Sequence, residues 1–196
     1  MLLHKIITPA TAQVLTLAEA KKHLQIDASF TDDDALINAI IAAVRKHTEE
    51  YLGRFLLPTV VEQYYDGWND HINERRFGGL VLFFTPVSAV ASVKYFDVAG
   101  VEQTLATDQY NIDTAREPSL IRAAWNVTLP SLRGYYNDVT VRYTAGYANA
   151  ASVPEPIKQA MLLMITGYYE HRDDTVKRMP TSSEYLLRNY RVQWLW

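Results

Sequence analysis

The sequence predicts an α+β fold with helical segments near both ends and a β-rich segment between them. Apolar residues recur at helical spacing after Asp34 and after Pro154, whereas short β-branched and aromatic runs separated by turn residues fill the middle. Hydrophobic residues make up 48% of the 196 residues and charged residues 21%, the balance of a chain that buries a core. We predict an N-terminal helical part over residues 1–57, a β-rich insertion over 58–150, and a C-terminal helix and tail over 151–196 that completes a helical bundle.

Two helices are predicted in the N-terminal part. Thr16 and Glu19 have the spacing of a capping box, which predicts a short helix to about Leu24. The second helix runs over residues 32–52, because its apolar residues fall at helical spacing and Gly53 follows as a stop signal. We interpret the acidic residues 32–34 as a helix start, where the helix dipole favours negative charge.

The residue pattern of the middle segment predicts short strands joined by turns. The clearest is 138–144, where Val139, Val141 and Tyr143 alternate with polar residues, as a half-buried strand requires. The other candidate strands are residues 59–65, 80–84, 92–96, 101–105, 110–112 and 120–122.

The helical pattern returns after Val153, with proline in the first turn. The helix over residues 157–169 is apolar around most of its circumference, so we expect it to be covered on more than one side. A brief helix over 183–187 and an aromatic tail, 193–196, follow. Such a tail either folds back on its own domain or fills an apolar groove on a partner.

Composition excludes several classes of function. The chain has no cysteine, which excludes disulfides and thiolate chemistry, and no apolar run approaches the roughly 20 residues of a membrane span. We therefore expect a soluble intracellular protein. The formal net charge is -3 and no stretch concentrates Lys and Arg, so any contact with DNA is expected to be weak.

No motif for catalysis, cofactor binding or metal binding occurs. His171-Arg172-Asp173 lacks the surroundings of a kinase loop, the five histidines include no metal-binding pair, and residues 32–34 do not alternate as calcium ligands do. We predict no catalytic, cofactor or metal residues. Two alternatives stay open: a metal-dependent nuclease whose scattered carboxylates converge in space, and a DNA-binding accessory protein with a one-sided basic surface.

The order of segments resembles the head-tail connector proteins of tailed bacteriophages and prophages. The N-terminal likeness is carried by LTLAEAKKHL at 15–24, DDDALI at 32–37 and YLGR at 51–54. The C-terminal likeness is carried by VTVRYTAGY at 139–147, VPEPIKQA at 153–160, YYEHR at 168–172 and YLLRNYRV at 185–192. The long insertion resembles that of a subgroup with a β-rich insertion.

This resemblance implies an adaptor without an active site that forms a ring, with twelve copies to match the portal, around the DNA channel. Its implied partners are further copies of itself, the portal protein and the tail-completion or stopper protein, with weak contact to passing DNA. The implied location is the head-tail junction of the virion, after assembly in the host cytoplasm. Residues after about 175 would reach a partner, so deleting residues 179–196 is expected to leave the fold intact.

The two long helices display more apolar area than we expect one subunit to bury. We therefore predict that residues 32–52 and 157–169 carry the packing between subunits, and that the aromatic tail contacts the portal or another partner. The predicted interface residues are Leu36, Ile40, Val44, Tyr51, Met161, Met164, Tyr168, Tyr169, Trp194 and Trp196.

Overall fold

The structure is a computed structural model that describes residues 3–69, 78–171 and 181–192. The described residues form four helices and eight strands, so the predicted α+β class is confirmed. The helices are α1 (Leu17–His23), α2 (Asp34–Leu52), α3 (Glu155–Glu170) and α4 (Thr181–Arg188). The strands are β1 (His4–Thr8), β2 (Thr59–Tyr65), β3 (Leu80–Leu82), β4 (Val87–Phe96), β5 (Glu102–Thr104), β6 (Tyr110–Asp113), β7 (Ser119–Ala123) and β8 (Val139–Ala145).

The chain divides into two compact units. Within the described residues, the β unit comprises residues 3–9 and 58–146, and the helical unit comprises residues 10–57 and 147–192. Residues 3–9 thus group with the β-rich segment, whereas the sequence predicts one helical part over residues 1–57. The reason is that β1 pairs antiparallel with β2, a contact between residues far apart in sequence.

The main sheet of the β unit is antiparallel and has the order β1-β2-β8-β4-β5. Its central strands β2 and β8 alternate buried and less buried residues, and in β8 the buried ones include the predicted Val139, Val141 and Tyr143. The sequence misses β1, whose residues are mostly exposed, and the first half of β4, where two register shifts interrupt the pairing with β8. Neither stretch has the alternation that identifies a strand.

A second sheet, of order β3-β7-β6, is joined to the main sheet by a buried polar cluster. Gln63 on β2 donates to the carbonyl oxygen of Val81 at 2.9 Å and accepts the Tyr143 hydroxyl at 2.8 Å. The Tyr65 hydroxyl also donates to the Val81 carbonyl, at 2.7 Å. Because buried polar groups are costly unless they are paired, this cluster fixes one arrangement of the two sheets.

A glycine is required where β3 meets β7. Gly79 has a φ of +154°, and a Cβ atom there would lie 2.4 Å from the carbonyl oxygen of Ile121. Any other residue would clash with backbone, so Gly79 permits the close approach of the two strands.

The helical unit begins with the predicted capping box. The Glu19 N–H donates to the Thr16 hydroxyl oxygen at 3.2 Å, and the Thr16 N–H donates to the Glu19 carboxylate at 2.7 Å. Helix α2 ends at Gly53, whose φ of 67° is in the left-handed region that favours glycine.

The core of the helical unit is made by α1, α2, α3 and α4 together with residues 14–15 and 56–57. Leu187 on α4 is fully buried in it, and the Val192 N–H donates to the Leu52 carbonyl oxygen at 2.9 Å. The expectation that residues 179–196 can be removed without affecting the fold is therefore wrong, because the deletion would open this core.

Candidate assembly surfaces

Four of the predicted interface residues lie in the core of their own subunit. Ile40 and Val44 on α2 and Met161 and Met164 on α3 are all buried within the helical unit. The apolar area of these helices is thus largely buried by the unit itself, and the premise that it needs a neighbouring copy is wrong for these four side chains. Apolar residues at helical spacing mark a buried stripe without indicating which element covers it.

The other predicted residues differ in exposure. Leu36, Tyr51 and Tyr169 are half-buried against the same core, and Tyr168 is 37% exposed. Trp194 and Trp196 lie outside the described residues.

The solvent-facing side of α2, the α2 outer face, consists mainly of small residues. Its exposed residues are Ala35, Asn38, Ala39, Ala42, Ala43, Lys46, His47 and Glu50. Four alanines at helical spacing leave the backbone accessible over about two turns. Another helix could therefore approach this face closely, since interaxial distance depends on the side chains at the contact.

The outer side of α3 keeps partly exposed apolar groups. Leu163 is half-buried and is not part of the core described above, and Gln159 and Thr166 flank it at helical spacing. We call these three residues the α3 outer face. The polar groups of the α3 outer face are uncharged, so an apolar neighbour could cover this face without burying an unpaired charge.

The acidic residues at the start of α2 are held by partners within the helical unit. Asp34 pairs with Lys21 at 2.5 Å, and Asp33 accepts the Tyr169 hydroxyl at 2.5 Å. Asp33 is the N-cap residue but makes no side-chain capping hydrogen bond, so the predicted capping role is wrong for its carboxylate. Asp33 and Asp34 instead tie the start of α2 to α3 and α1.

The described residues contain no group of three or more His, Asp or Glu side chains that could hold a metal ion. Such a cluster is what the nuclease alternative requires. Within the same residues, no helix is both long and apolar enough to cross a membrane.

A turn at one end of the main sheet exposes two tyrosines. Residues 133–138, the 133–138 turn, lead directly into β8, and Tyr135 and Tyr136 are 66% and 70% exposed. Their rings contact each other edge to face, with centroids 5.2 Å apart. These are two neighbouring exposed aromatic side chains in the β unit, and no periodic pattern in the sequence predicts them.

A buried carboxylate holds this turn. Asp138 accepts hydrogen bonds from the Arg133 guanidinium at 2.5 Å and from the Gly134 and Tyr135 N–H groups at 2.7 and 2.8 Å. Burial on its own raises the pKa of Asp138, but these hydrogen bonds outweigh it and hold the pKa below its usual range. The turn is therefore organised around a permanent negative charge at neutral pH.

Comparison with known proteins matches part of the sequence to one family. Residues 14–76 match the family described as phage gp6-like head-tail connector protein. These residues include the three N-terminal segments that resemble connectors in the sequence, at 15–24, 32–37 and 51–54. The resemblance to head-tail connectors indicated by the sequence is thereby confirmed, and the match includes α1, α2 and the start of the β-rich segment.

Three solved structures of gene transfer agent (GTA) particles contain chains with a similar fold. One is from the neck of an empty particle computed with C6 symmetry, with a TM-score of 0.76, 23% identity and coverage of 99% of this chain and 97% of that chain. Another is from the virion of a native particle, with a TM-score of 0.74, 22% identity and the same coverage.

The third is from the neck of a native particle computed with C12 symmetry, with a TM-score of 0.65, 24% identity and coverage of 100% of this chain and 97% of that chain. At these identities the likeness is one of fold, and it extends over the whole chain. No curated protein matches the sequence significantly.

Proposed function

We propose that this protein is a head-tail connector: a structural adaptor that forms a ring in the neck of a phage-like particle. The observation that carries the proposal is the coincidence of two independent likenesses, a connector family match over residues 14–76 and a neck-protein fold over the whole chain. In this proposal the helical unit is a connector-like bundle, and the β unit is an insertion that decorates it.

Neighbouring subunits would pack through the two outer faces of the helical unit. In a ring each contact joins two different surfaces, and the α2 and α3 outer faces are such a pair. The half-exposed Leu163 of one copy would lie against Ala39 and Ala42 of the next. This replaces the buried residues Ile40, Val44, Met161 and Met164 as the subunit contact, and it keeps the prediction that α2 and α3 carry the packing.

The remaining partners follow from the same proposal. The ring would dock under the portal protein, with twelve copies, and would receive a tail-completion protein at the head-tail junction. Trp194 and Trp196 stay proposed anchors for the portal. The net charge of -3 suits a ring through which DNA passes, because a basic lining would bind phosphates.

A charge-swap experiment tests the ring contact. Ala39→Arg and Leu163→Glu each place a charge in the proposed interface, so each single variant should fail to form rings with the cognate portal. The double variant places an arginine opposite a glutamate at every contact, and it should form rings again. Native mass spectrometry and negative-stain microscopy measure the oligomer.

Ala18→Arg is the matched control, since it makes the same substitution as Ala39→Arg at an exposed position of α1, outside both faces. The control should assemble like the unaltered protein. Rings formed equally well by both single variants would refute the assigned faces. A double variant that stays as defective as the single ones would refute the pairing of the two faces.

A further inference from the structure

The 133–138 turn is fixed to the β unit at several points. The Arg133 N–H donates to the Phe96 carbonyl oxygen at 3.3 Å, and its guanidinium lies 4.1 Å from the centroid of the Phe96 ring. The Asn137 N–H donates to the Asp66 carboxylate at 2.9 Å. Together with the bonds to Asp138, these contacts tie the turn to the ends of both β2 and β4.

The chain before the turn is also held. The Trp68 indole N–H donates to the Pro130 carbonyl oxygen at 2.7 Å, and the Trp68 ring packs on Tyr95 with centroids 5.5 Å apart. Leu132 forms an isolated bridge with Asp97. A backbone held this firmly loses little conformational entropy when a partner binds.

The side chains of the turn are nevertheless exposed. Tyr135 and Tyr136 bring large rings into solvent, and the neighbouring β4–β5 turn adds Val98, which is 73% exposed. Tyrosine supplies contact area at low entropic cost and is enriched among the residues that dominate binding energy. Asp138 and Arg133 form an ion pair, so a partner that covered the turn would leave neither of these charges buried and unpaired.

The charges around Tyr135 and Tyr136 indicate whether a binding partner would carry positive or negative charge at this site. Asp66 and Asp97 flank the turn, and neither forms an ion pair with another described residue. Arg133, the cation of the turn, pairs with Asp138, and its guanidinium lies over the Phe96 ring and 5.6 Å from the centroid of the Tyr135 ring. The surface therefore combines aromatic rings with two carboxylates, which attracts Arg and Lys side chains and repels phosphates.

We propose that the 133–138 turn, with Asp66, Asp97 and Val98, is a docking site for an arginine- or lysine-bearing segment of the tail-completion protein. The proposal rests on the proposed connector function. The carboxylates favour a basic protein segment over DNA, and the portal is already assigned to the C-terminal anchors. The basic side chain would lie on the Tyr136 ring and pair with the flanking carboxylates, while Tyr135, which already has Arg133 over its ring, would supply apolar contact area.

Binding of the purified cognate tail-completion protein to the assembled connector and portal complex tests this site. Tyr135→Ser combined with Tyr136→Ser should weaken binding about tenfold or more, because two exposed anchors are lost. Asp66→Asn combined with Asp97→Asn removes both negative charges and should weaken binding about threefold and reduce its dependence on salt. The Asp97 change also removes the acceptor of the Gln103 side-chain amide, so this variant should be somewhat less stable. The tyrosine variant should melt at the temperature of the unaltered protein, and binding of the asparagine variant is measured well below its own melting temperature.

Ile112→Ser is the matched control, since Ile112 is an exposed apolar residue of β6 in the same unit. It should leave the affinity unchanged. An unchanged affinity in both double variants would overturn the proposal, as would a loss of portal binding in place of tail-protein binding. If the unaltered chain binds neither the portal nor the tail-completion protein, the proposed connector function is refuted together with the docking site. If the double variants form rings on the portal and still bind the tail-completion protein with unchanged affinity, only the docking site is refuted.

Discussion

The helical unit and the β unit use apolar side chains in opposite ways. In the helical unit most of the large apolar residues of α2 and α3 are buried, and alanines face solvent on α2. In the β unit a turn organised by the buried Asp138 keeps two tyrosines exposed. The apolar stripe of a helix thus marks the core, whereas a binding surface is better recognised where fixed backbone holds apolar groups in solvent.

The largest effect is expected from the core of the helical unit. Met161→Ala should lower the free energy of unfolding by about 3 kcal/mol, because Met161 is fully buried and truncation leaves a cavity. Leu163→Ala on the outer side should cost less than about 1 kcal/mol, since that side chain is already partly in water. Denaturant unfolding measures both. Equal losses of unfolding free energy in the two variants would contradict the distinction between the buried and outer sides of α3.

A smaller effect is expected from the carboxylate that holds the 133–138 turn. Asp138→Asn should lower stability by about 2 kcal/mol, because a charged acceptor of three hydrogen bonds is replaced by a neutral group with a donor. Asp108→Asn, at an exposed position of the same unit, serves as the control. A cost no larger than that of the control would mean that the turn is not organised around Asp138.

The same carboxylate predicts a pH dependence. The pKa of Asp138 is lower in the folded protein than in the unfolded chain, so its stabilisation is complete above the unfolded value near about 4 and is lost as the pH falls toward the folded value. Unfolding of the unaltered protein followed between neutral and acidic pH should show this loss. Asp138→Asn should flatten that part of the profile, and a profile unchanged by the substitution would contradict the assignment.

The capping box of α1 gives the next effect. Thr16→Ala should destabilise the protein by about 1 kcal/mol, because the Glu19 N–H loses its side-chain acceptor. Thr11→Ala, at an exposed position outside any helix, should change little. Thermal unfolding of the two variants compares them directly. Indistinguishable midpoints would show that the start of α1 does not depend on its cap.

The smallest effect is expected on the open face of the main sheet. Arg142 pairs with Glu62 across β8 and β2, with Nε donating at 2.8 Å, yet the arginine side chain is 47% exposed. Arg142→Gln should cost about 0.5 kcal/mol and the loss should shrink at high salt. A double-mutant cycle with Glu62→Gln measures the coupling. A coupling well above 1 kcal/mol would mean that this face is shielded from solvent.

Local signals predicted much of the fold. The Thr16 and Glu19 cap, the Gly53 stop and the alternation of β8 each depend on neighbours in sequence, and all three are found. β1 could not be predicted, because it is defined by pairing with β2, and His4, for example, pairs with Gln63, which is 59 residues away in sequence.

The candidate surfaces were harder to predict than the fold. Helical spacing identifies Met161 and Val44 as members of apolar stripes, but it does not reveal that α1 and α4 complete their cover. Tyr135 and Tyr136 carry no periodic signal, and their exposure follows from the hydrogen bonds of Asp138. The available sequence signal was a pair of aromatic residues directly after Gly134 in a turn.

The most direct test of the central claim, that copies of this chain pack side by side into a ring, is native mass spectrometry of the purified protein with and without its cognate portal. We expect a closed ring on the portal, with twelve copies if the ring follows the C12 symmetry with which the similar neck was computed. A chain that stays monomeric in the presence of the portal, or that binds it as isolated copies, would refute side-by-side packing.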